Sequence, residues 1–407
     1  MSERSIVFLV GAVQFVNVLD FMMVMPLGPD FASALGIPTS HIGIVGGSYT
    51  LAAAVAGLVG SLFLDRFDRR KALGLAMLGL VVGTALGGLA AGLSSLLLAR
   101  IVAGSFGGPA TSLSLAVIAD SIPAARRGKA MGAVMAAFSV ASVLGVPAGL
   151  ELAERLGWRA PFFAVAGLGL VITLAAVRLM PPMRGHLSAP RAAGPPAPLL
   201  DSITGIALLN TALVTLGVFA VVPNVSAFIQ HNLGFPRSDI GFLYLVGGLA
   251  SFVVMQLVGR LVDRFGAAAL VGLGTLLHAF ALLTTFVYHL SALPLVVLFT
   301  VFMLSASVRM VPLQTLNSRA PRPEQRARFM SAQSAVQHAA SAIGAMLASV
   351  VLIAAPDGKL LHMDAVAWGA LLVASLVPFG AYALEQRLKA RDAAPFTASP
   401  SPLAPHP

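Results

Sequence analysis

Residues 57–71 read G-L-V-G-S-L-F-L-D-R-F-D-R-R-K, and this stretch decides the fold. It ends one apolar segment, carries a dense run of charge and leads into the next apolar segment. Because an ion at the centre of a bilayer costs several kcal/mol, this charge must lie in water or among lipid headgroups. The stretch therefore predicts a tight turn between two membrane spans. Its charged residues are Asp65, Arg66, Asp68, Arg69, Arg70 and Lys71.

A shorter copy of this stretch, G-R-L-V-D-R-F-G, occurs at residues 259–266 and contains Asp263 and Arg264. Asp263 follows Asp65 by 198 residues, which is close to half of the 407-residue chain. A four-residue match, S-x-I-G, recurs elsewhere at the same offset. Two six-span halves repeated in parallel are typical of transporters whose substrate site lies between the halves, near the membrane midplane.

The composition is that of a membrane protein, since 57% of the residues are hydrophobic and 10% are charged. Soluble proteins carry about 25% charged residues. The chain has no cysteine, which excludes disulfides, thiolate metal sites and cysteine nucleophiles. Without H-E-x-x-H, a P-loop or a G-x-S-x-G with partner residues, it has no chemistry for an ATP-driven pump or an intramembrane hydrolase. We expect no enzyme, no metal site and no cofactor.

Twelve segments are apolar over about 20 residues, the length that crosses a bilayer. A segment rich in Pro, Ala, Gly and Arg separates the sixth from the seventh and is typical of a linker. The predicted organisation is an N-terminal six-helix bundle (1–180), a cytoplasmic linker (181–202), a C-terminal six-helix bundle (203–388) and a disordered tail (389–407). The predicted spans are 6–29, 41–63, 72–92, 95–120, 129–150, 160–180, 203–229, 239–259, 267–289, 292–316, 328–354 and 363–385.

Lysine and arginine residues concentrate in the loops on the side that carries the N-terminus. Because such loops stay in the cytoplasm, both termini are predicted to be cytoplasmic. The same bias accounts for the formal net charge of +10, so a nucleic acid is not needed as a partner to explain it. The expected surrounding is the lipid bilayer.

Three motifs resemble those of the major facilitator superfamily, above all its bacterial twelve-span drug:proton antiporters and sugar-efflux permeases. The first is the D-R-x-x-R-R of the charged turn. The second is R-x-x-x-G-x-x-x-G in span four, and the third is G-V-P-A-G in span five. The resemblance covers residues 5–388. The second motif contains Arg100, Gly104 and Gly108, and the third contains Gly145, Pro147 and Gly149.

The resemblance implies an all-α membrane protein with twelve transmembrane helices in two pseudo-symmetric six-helix bundles. It implies a secondary transporter of the bacterial inner membrane that exports a small organic molecule or drug in exchange for protons, with the proton gradient as its energy source. We expect a monomer. Export of a sugar or metabolite and uptake by proton symport stay open within the same fold. A non-transporting membrane sensor or scaffold is the alternative of another class.

Asp20 is the only acid well inside an apolar span. From Ser5 it lies about 22 Å along a helix that rises about 1.5 Å per residue, past the midplane of a core about 30 Å thick. Burial favours the neutral form of a carboxyl group, which suits a carrier of one exchangeable proton. The alternative is a structural carboxylate that is hydrogen-bonded to Asn17 or to the backbone.

Arg100 enters span four from the opposite side to a similar depth and is the expected partner of Asp20. The resemblance implies a role in proton coupling for this arginine. We hypothesise that substrate binding competes with protonation of Asp20, and that Arg100 favours the ionised carboxylate. The alternative is that the Arg100 side chain extends to the headgroups.

Polar residues on single helix faces are candidates for a substrate cavity. The faces on spans one and seven either line a wet cavity or bind helices to each other, and the face on span eleven serves helix packing or substrate hydrogen bonds. Arg309 in span ten binds an anionic substrate group, serves as an inner gate or pairs with a loop carboxylate. The remaining candidates are Gln14, Asn17 and Phe21 in span one, Asn210, Asn224 and Phe228 in span seven, and Gln333 and Gln337 in span eleven.

The charged turn is expected to close the cytoplasmic side in one state and to release it in the other. Asp65 is predicted to lie near Arg328 at the N-terminus of span eleven, where the helix dipole favours an anion. Arg69 or Arg70 is predicted to reach Asp120 at the inner end of span four. The alternative is charge that only fixes topology. The same gating role is assigned to Arg66, Asp263 and Arg264.

Glycine and proline residues are expected to shape spans four and five. Gly104 and Gly108 permit a close approach of span four to a neighbouring backbone. Gly145 and Pro147 are predicted to kink span five, because proline interrupts the helical hydrogen bonds. Gly149 belongs to the same motif.

Overall fold

The computed structural model describes residues 1–60, 63–184, 187, 200–289, 293–322 and 325–393. Within these ranges, twelve helices are long and apolar enough to cross a membrane, which confirms the predicted number and the all-α class. Because twelve is even, both termini belong on one side of the bundle, here called the terminal side; the opposite side is the far side. Spans one to six are Glu3–Val24, Ile42–Gly60, Arg69–Gly88, Leu93–Ser121, Ala124–Val140 continued by Val146–Leu156, and Arg159–Leu179. Spans seven to twelve are Ser202–Ala227, Ile240–Phe265, Ala267–Leu282, Leu295–Arg319, Arg326–Val351 and Met363–Ala393.

Span one ends earlier than the sequence predicts. It stops at Val24, and a separate short helix, Gly28–Leu35, follows on the far side. Pro26 lies between the two helices, and its missing N–H group cannot continue the helical hydrogen bonds. The predicted span 6–29 therefore contains a membrane helix and the start of a second element.

Span twelve continues past the predicted boundary of the tail. Residues 389–393 are helical, and the helix ends at Ala393. Arg391 holds this end of the helix by donating hydrogen bonds to the carbonyl groups of Arg319 and Ala320. The prediction of a tail from residue 389 is therefore wrong for these five residues. Residues 394–407 and most of the predicted linker lie outside the described residues.

The second copy of the charged stretch is helical rather than a turn. Span eight continues to Phe265 and ends at Gly266, whose φ of 81° glycine adopts without strain. Asp263 and Arg264 therefore lie on the last turn of the helix, and their side chains are exposed. The prediction of two equivalent charged turns is wrong at this point, because the glycine that stops the helix comes after the charges.

Three spans contain a π-helical turn. In span five the turn is Ala141–Gly145 and lies directly before Pro147, where the sequence predicts a kink. In span seven the π-helical turn Phe228–Asn232 follows Pro223, and in span nine the turn Leu283–Val287 closes the helix. A π-helical turn adds a residue to the turn and rotates the side chains that follow it. Helix faces counted from the sequence alone therefore shift at these positions.

Spans two and four are in backbone contact at the glycines of the second motif. A Cβ atom at Gly104 would collide with the carbonyl oxygen of Tyr49, and a Cβ atom at Gly108 would collide with that of Ala53. A Cβ atom at Gly107 would collide with the Tyr49 hydroxyl group. These glycines bring span two close enough for the Tyr49 side chain to lie inside the first half.

The two halves meet along spans two and eleven, where a Cβ atom at Gly43 would lie 2.6 Å from the carbonyl oxygen of Ala345. On the far side, the strands Ile353–Ala354 and Leu360–Leu361 form an antiparallel hairpin between spans eleven and twelve. Asn232 at the end of span seven holds this hairpin through hydrogen bonds of 2.9 Å to the N–H and C=O groups of Leu360.

We predict opposite effects on stability for Gly104→Ala and Gly167→Ala. The added methyl group at Gly104 must displace backbone, which costs about 1–3 kcal/mol. The control, Gly167, lies in span six with no neighbour within 4 Å, so alanine there stabilises the helix by up to about 1 kcal/mol. Thermal unfolding of the purified proteins in one detergent measures both. Equal shifts in the same direction would contradict the close packing of spans two and four.

Candidate functional site

Asp20 and Arg100 form an ion pair in the interior of the first half. The Arg100 Nη1 donates to both carboxylate oxygens, at 3.1 and 3.0 Å, and its Nη2 lies 3.4 Å from the Asp20 carbonyl oxygen. The two residues are 0% and 1% exposed, so neither reaches solvent or headgroups. The structure thus brings together the two residues that the sequence pairs, and the alternative of an Arg100 side chain extended to the headgroups is wrong.

Two side chains that the sequence analysis missed complete the surroundings of this pair. The Thr84 Oγ1 in span three lies 2.7 Å from the Asp20 Oδ1. The Tyr49 ring in span two lies under the guanidinium group, 4.5 Å from its carbon atom, in a cation–π contact. The only signal for either residue in the sequence is a polar group inside an apolar span.

Asn17 is not a partner of the Asp20 side chain. Its Nδ2 donates to the Gly107 carbonyl oxygen at 2.8 Å and to the Thr111 hydroxyl group at 2.7 Å. Its Oδ1 accepts a hydrogen bond of 2.8 Å from the Tyr49 hydroxyl group. In this conformation Asn17 joins span one to spans two and four. The sequence analysis left such binding between helices open as the alternative to cavity lining.

Phe21 and Gln14 are the other polar-face candidates of span one. The Phe21 ring stacks on Tyr49 with ring centres 5.5 Å apart, and it lies 5.8 Å from the Phe219 ring of span seven. Phe21 therefore contacts the second half directly beside the ion pair. Gln14 is buried, and its Oε1 has no hydrogen-bond partner in the described part of the chain.

The candidates in span seven face the interior of the second half. Asn210 packs against span twelve, where a Cβ atom at Gly380 would collide with its side chain. The Phe228 ring packs against Phe286, with ring centres 5.1 Å apart. Asn224 is fully buried and bonds within its own helix, to the Ala220 carbonyl oxygen at 3.4 Å. Asn210 and Phe228 therefore pack between helices in this conformation, which is the alternative that the sequence analysis left open for this face.

Arg309 is buried between spans nine and ten. Its side chain lies against Gly274, whose missing Cβ atom leaves the necessary space. Its Nε and Nη2 atoms have no hydrogen-bond partner among the described residues. Close by, Ser305 donates to the Phe302 carbonyl oxygen at 2.7 Å and lies 3.0 Å from the Nδ1 of His278.

A small cleft lies in the second half between spans seven, ten and eleven. The Gln333 amide lies 3.2 Å from that of Gln314, and the Asn317 amide donates to Thr211 at 3.1 Å. The side chains that line the cleft are uncharged. The structure thus places Gln333 and Gln337 on a cleft wall. The lining residues are Thr211, Val214, Thr215, Met310, Leu313, Gln314, Asn317, Gln333 and Gln337.

The charged turn makes its described contacts inside the first half. The Arg69 Nε lies 3.2 Å from the Asp120 Oδ2, which joins spans three and four as the sequence predicts. Arg70 donates to the Met180 carbonyl oxygen at the end of span six. These bonds stay within one half, so they do not by themselves close the terminal side between the halves. The Arg66 side chain is exposed.

The charged turn contains two acids, Asp65 and Asp68, and the structure describes the side chain of Asp68. Burial raises the pKa of Asp68, but hydrogen bonds from the N–H groups of Met183 and Arg70 and from Arg184 outweigh burial, so its pKa lies below the ordinary value. Asp68 is therefore a structural anion that joins spans three and six. The Asp65 side chain lies outside the described residues, so its contact with span eleven stays a prediction.

The far side is closed by contacts between the halves, and no pattern in the sequence predicts them. Arg237 of the second half binds Asp30 with two bonds of 2.7 and 2.8 Å, and it also donates to the Leu150 carbonyl oxygen at 3.3 Å. The Thr39 hydroxyl group donates to the Gly358 carbonyl oxygen across the same boundary at 3.1 Å. Asp30 and Arg237 lie 207 residues apart, and no motif links them.

Comparison with known proteins settles the family. The sequence model of the Major Facilitator Superfamily matches the chain twice, at residues 10–208 and 207–405. The chain belongs to the Major Facilitator Superfamily. Each match covers one half, so the repeat seen in the sequence is the superfamily repeat. Superfamily transporters bind small molecules and often couple their movement to protons.

Among sequenced members of the superfamily, the chain is 28% identical over 260 residues to a chloramphenicol resistance protein of Streptomyces lividans, covering 63% of this chain and 66% of that protein. It is 23% identical over 284 residues to multidrug resistance protein 2 of Bacillus subtilis (strain 168), covering 67% of this chain and 71% of that protein. The chain thus spans about two thirds of the length of the curated relatives that it matches.

Solved superfamily structures share the whole fold. A D-xylose-proton symporter aligns with a TM-score of 0.73 at 18% identity, covering 94% of this chain and 97% of that chain. A bacterial homolog of the human lysosomal transporter Spinster, in an inward-facing and occupied conformation, aligns with a TM-score of 0.71 at 16% identity, covering 96% and 97%. At these identities the likeness shows the superfamily fold alone.

We predict that Arg237→Ala raises the population in which the far side is open. The change removes two charge-assisted bonds and a carbonyl contact between the halves, so we expect a shift of about tenfold or more. Because the chain lacks cysteine, spin labels on cysteines introduced at Ala34 and Pro356 report the far-side distance. Arg155→Ala is the control, since Arg155 pairs with Glu151 inside its own helix. An unchanged distance distribution in Arg237→Ala would contradict this closure.

Proposed function

We propose that the protein is a proton-driven exporter of a small organic molecule. It works by alternating access as a monomer in the cytoplasmic membrane of a bacterium, with both termini in the cytoplasm, and the proton gradient is its energy source without any cofactor. The observation that carries the proposal is the fully buried ion pair of Asp20 and Arg100.

The ion pair suits proton coupling because its two partners depend on each other. In low dielectric, a paired charge is tolerated and an unpaired charge is costly. Protonation of Asp20 leaves Arg100 without its counter-ion and so changes the stability of the surrounding packing. A group whose protonation destabilises the surrounding packing can shift the equilibrium between two conformations of the transporter.

The contacts of Phe21 support a substrate site beside the pair. This ring touches Tyr49, which lies under Arg100, and Phe219 of the second half. A molecule that separates Phe21 from Phe219 would act on the halves and on the ion pair together. Substrate binding and protonation of Asp20 then compete through the Tyr49 ring.

The direction of transport is supported by the relatives and by the charge bias. The matched proteins are named for resistance to chloramphenicol and to several drugs, which export explains. The basic loops favour a cytoplasmic terminal side. Arg237 closes the far side in this conformation, which is compatible with uptake of substrate from the cytoplasm.

A second candidate is export of a sugar or another polar metabolite. A group of amide and hydroxyl side chains between spans seven, ten and eleven favours it, since such groups suit an uncharged molecule with several hydrogen-bonding groups. Uptake by symport uses the same residues with the opposite coupling. A sensor or scaffold gives no role to the buried pair.

Transport in proteoliposomes tests the proposal. We predict that the wild type accumulates labelled chloramphenicol when the lumen is acidic, and that Asp20→Asn lowers this accumulation at least tenfold because it removes the exchangeable proton. Asp364→Asn is the control, since Asp364 is an exposed acid in the first turn of span twelve.

Several outcomes would count against the proposal. Full gradient-driven accumulation by Asp20→Asn would refute coupling through Asp20. Accumulation in an alkaline lumen would indicate symport. A sugar that moves where chloramphenicol does not would favour the second candidate.

A further inference from the structure

We propose that the Thr84 hydroxyl group is a two-position partner that sets how readily Asp20 takes up and gives up its proton. This inference rests on the proposed function of Asp20 as the proton carrier. Thr84 is 1% exposed, and its Oγ1 lies 2.7 Å from the Asp20 Oδ1 and 2.8 Å from the Leu80 carbonyl oxygen. A hydroxyl group has one proton, so it donates to only one of these acceptors at a time.

The two acceptors match the two protonation states of Asp20. When the carboxyl group is ionised, the Thr84 hydroxyl group donates to its Oδ1 while Arg100 donates to both oxygens. When the carboxyl group is protonated, its O–H donates to the Thr84 Oγ1, and the hydroxyl hydrogen turns to the Leu80 carbonyl oxygen. That second bond joins residues four apart in one helix, which is ordinary for threonine.

The exchange needs no movement of heavy atoms. Only the hydroxyl hydrogen of Thr84 rotates, and both states keep every oxygen of this contact bonded. A buried polar group without a partner is destabilising, so a partner that serves both protonation states removes this cost from the proton exchange. Thr84 is therefore a positioning residue that acts through Asp20.

Few other groups face Asp20. Span four contributes Arg100, and span two contributes the Tyr49 ring, whose hydroxyl group is bonded to Asn17. Span three contributes Thr84. Among the described side chains of spans five and six, which also pack on span one, the charged residues lie toward the helix ends: Arg126, Lys129, Glu151, Glu154, Arg155, Arg159 and Arg178.

The direction of the effect follows from the charge. A hydrogen bond to an ionised carboxylate is about twice as strong as one between neutral groups. Removal of the hydroxyl group therefore costs the ionised form more than the protonated form, so Asp20 binds its proton more tightly. We expect Thr84→Val, which keeps the shape of the side chain, to move the titration midpoint of Asp20 up by about one pH unit.

Infrared titration of the purified protein tests this without a transported substrate. The carboxylic C=O band of Asp20 is the titrating band that Asp20→Asn removes. We predict a higher midpoint in Thr84→Val and in Thr84→Ala, and a midpoint close to that of the wild type in Thr84→Ser. Thr173→Val is the matched control: Thr173 is a buried threonine in span six that donates to the Gly169 carbonyl oxygen in the same way.

The outcomes separate this inference from the proposed function. An unchanged or lowered midpoint in Thr84→Val, with the band of Asp20 titrating normally in the wild type, overturns the role of Thr84 alone. The same shift in Thr173→Val or in Thr84→Ser also overturns it. Absence of any titrating band that Asp20→Asn removes overturns the proposed function, and the role of Thr84 with it.

Discussion

The ion pair of Asp20 and Arg100 is the constraint on which the rest of the first half depends. Two charges that are fully buried in a membrane protein are tolerated only as a pair with their remaining bonds satisfied. The packing around them meets this condition for the Asp20 carboxylate and for both Nη atoms of Arg100, whereas the Arg100 Nε has no hydrogen-bond partner among the described residues. Gly104 and Gly108 let span two approach span four, which puts the Tyr49 ring under the guanidinium group. From span three, the Thr84 hydroxyl group donates a hydrogen bond to the Asp20 carboxylate. Glycines, an aromatic ring and a hydroxyl group thus serve one electrostatic requirement.

The two halves have the same arrangement of helices but different buried polar groups. The superfamily repeat is visible in the family match to each half. The first half buries a neutralised charge pair. In the described part of the second half, Arg309 is buried with two nitrogen atoms unpartnered, and a small cleft lined by uncharged side chains lies between spans seven, ten and eleven. The two halves share their arrangement of helices but differ in the polar groups inside them.

The sequence was sufficient for features that depend on helix length and charge. Each span shows as an apolar segment, and the fixed rise per residue placed Asp20 and Arg100 at a common depth. It failed where direction around the helix mattered. Asn210 packs against span twelve at Gly380, and Phe228 packs against Phe286 of span nine, and neither contact shows in the sequence. It also failed for Arg237 and Asp30, since a contact between residues in different halves leaves no local pattern. Asp263 and Arg264 lie on a helix because the terminating glycine comes after them.

The most direct test of the central claim is a double-mutant cycle on the buried pair. Asp20→Asn, Arg100→Gln and the double variant are unfolded in the same detergent, and the free energy of unfolding of each is compared with that of the wild type. Each single change should lower it by about 3–5 kcal/mol because one charge stays buried without its partner. The double variant should lose much less than the sum of the two. Losses that simply add would contradict an interdependent pair, and the account of the site would fail with it.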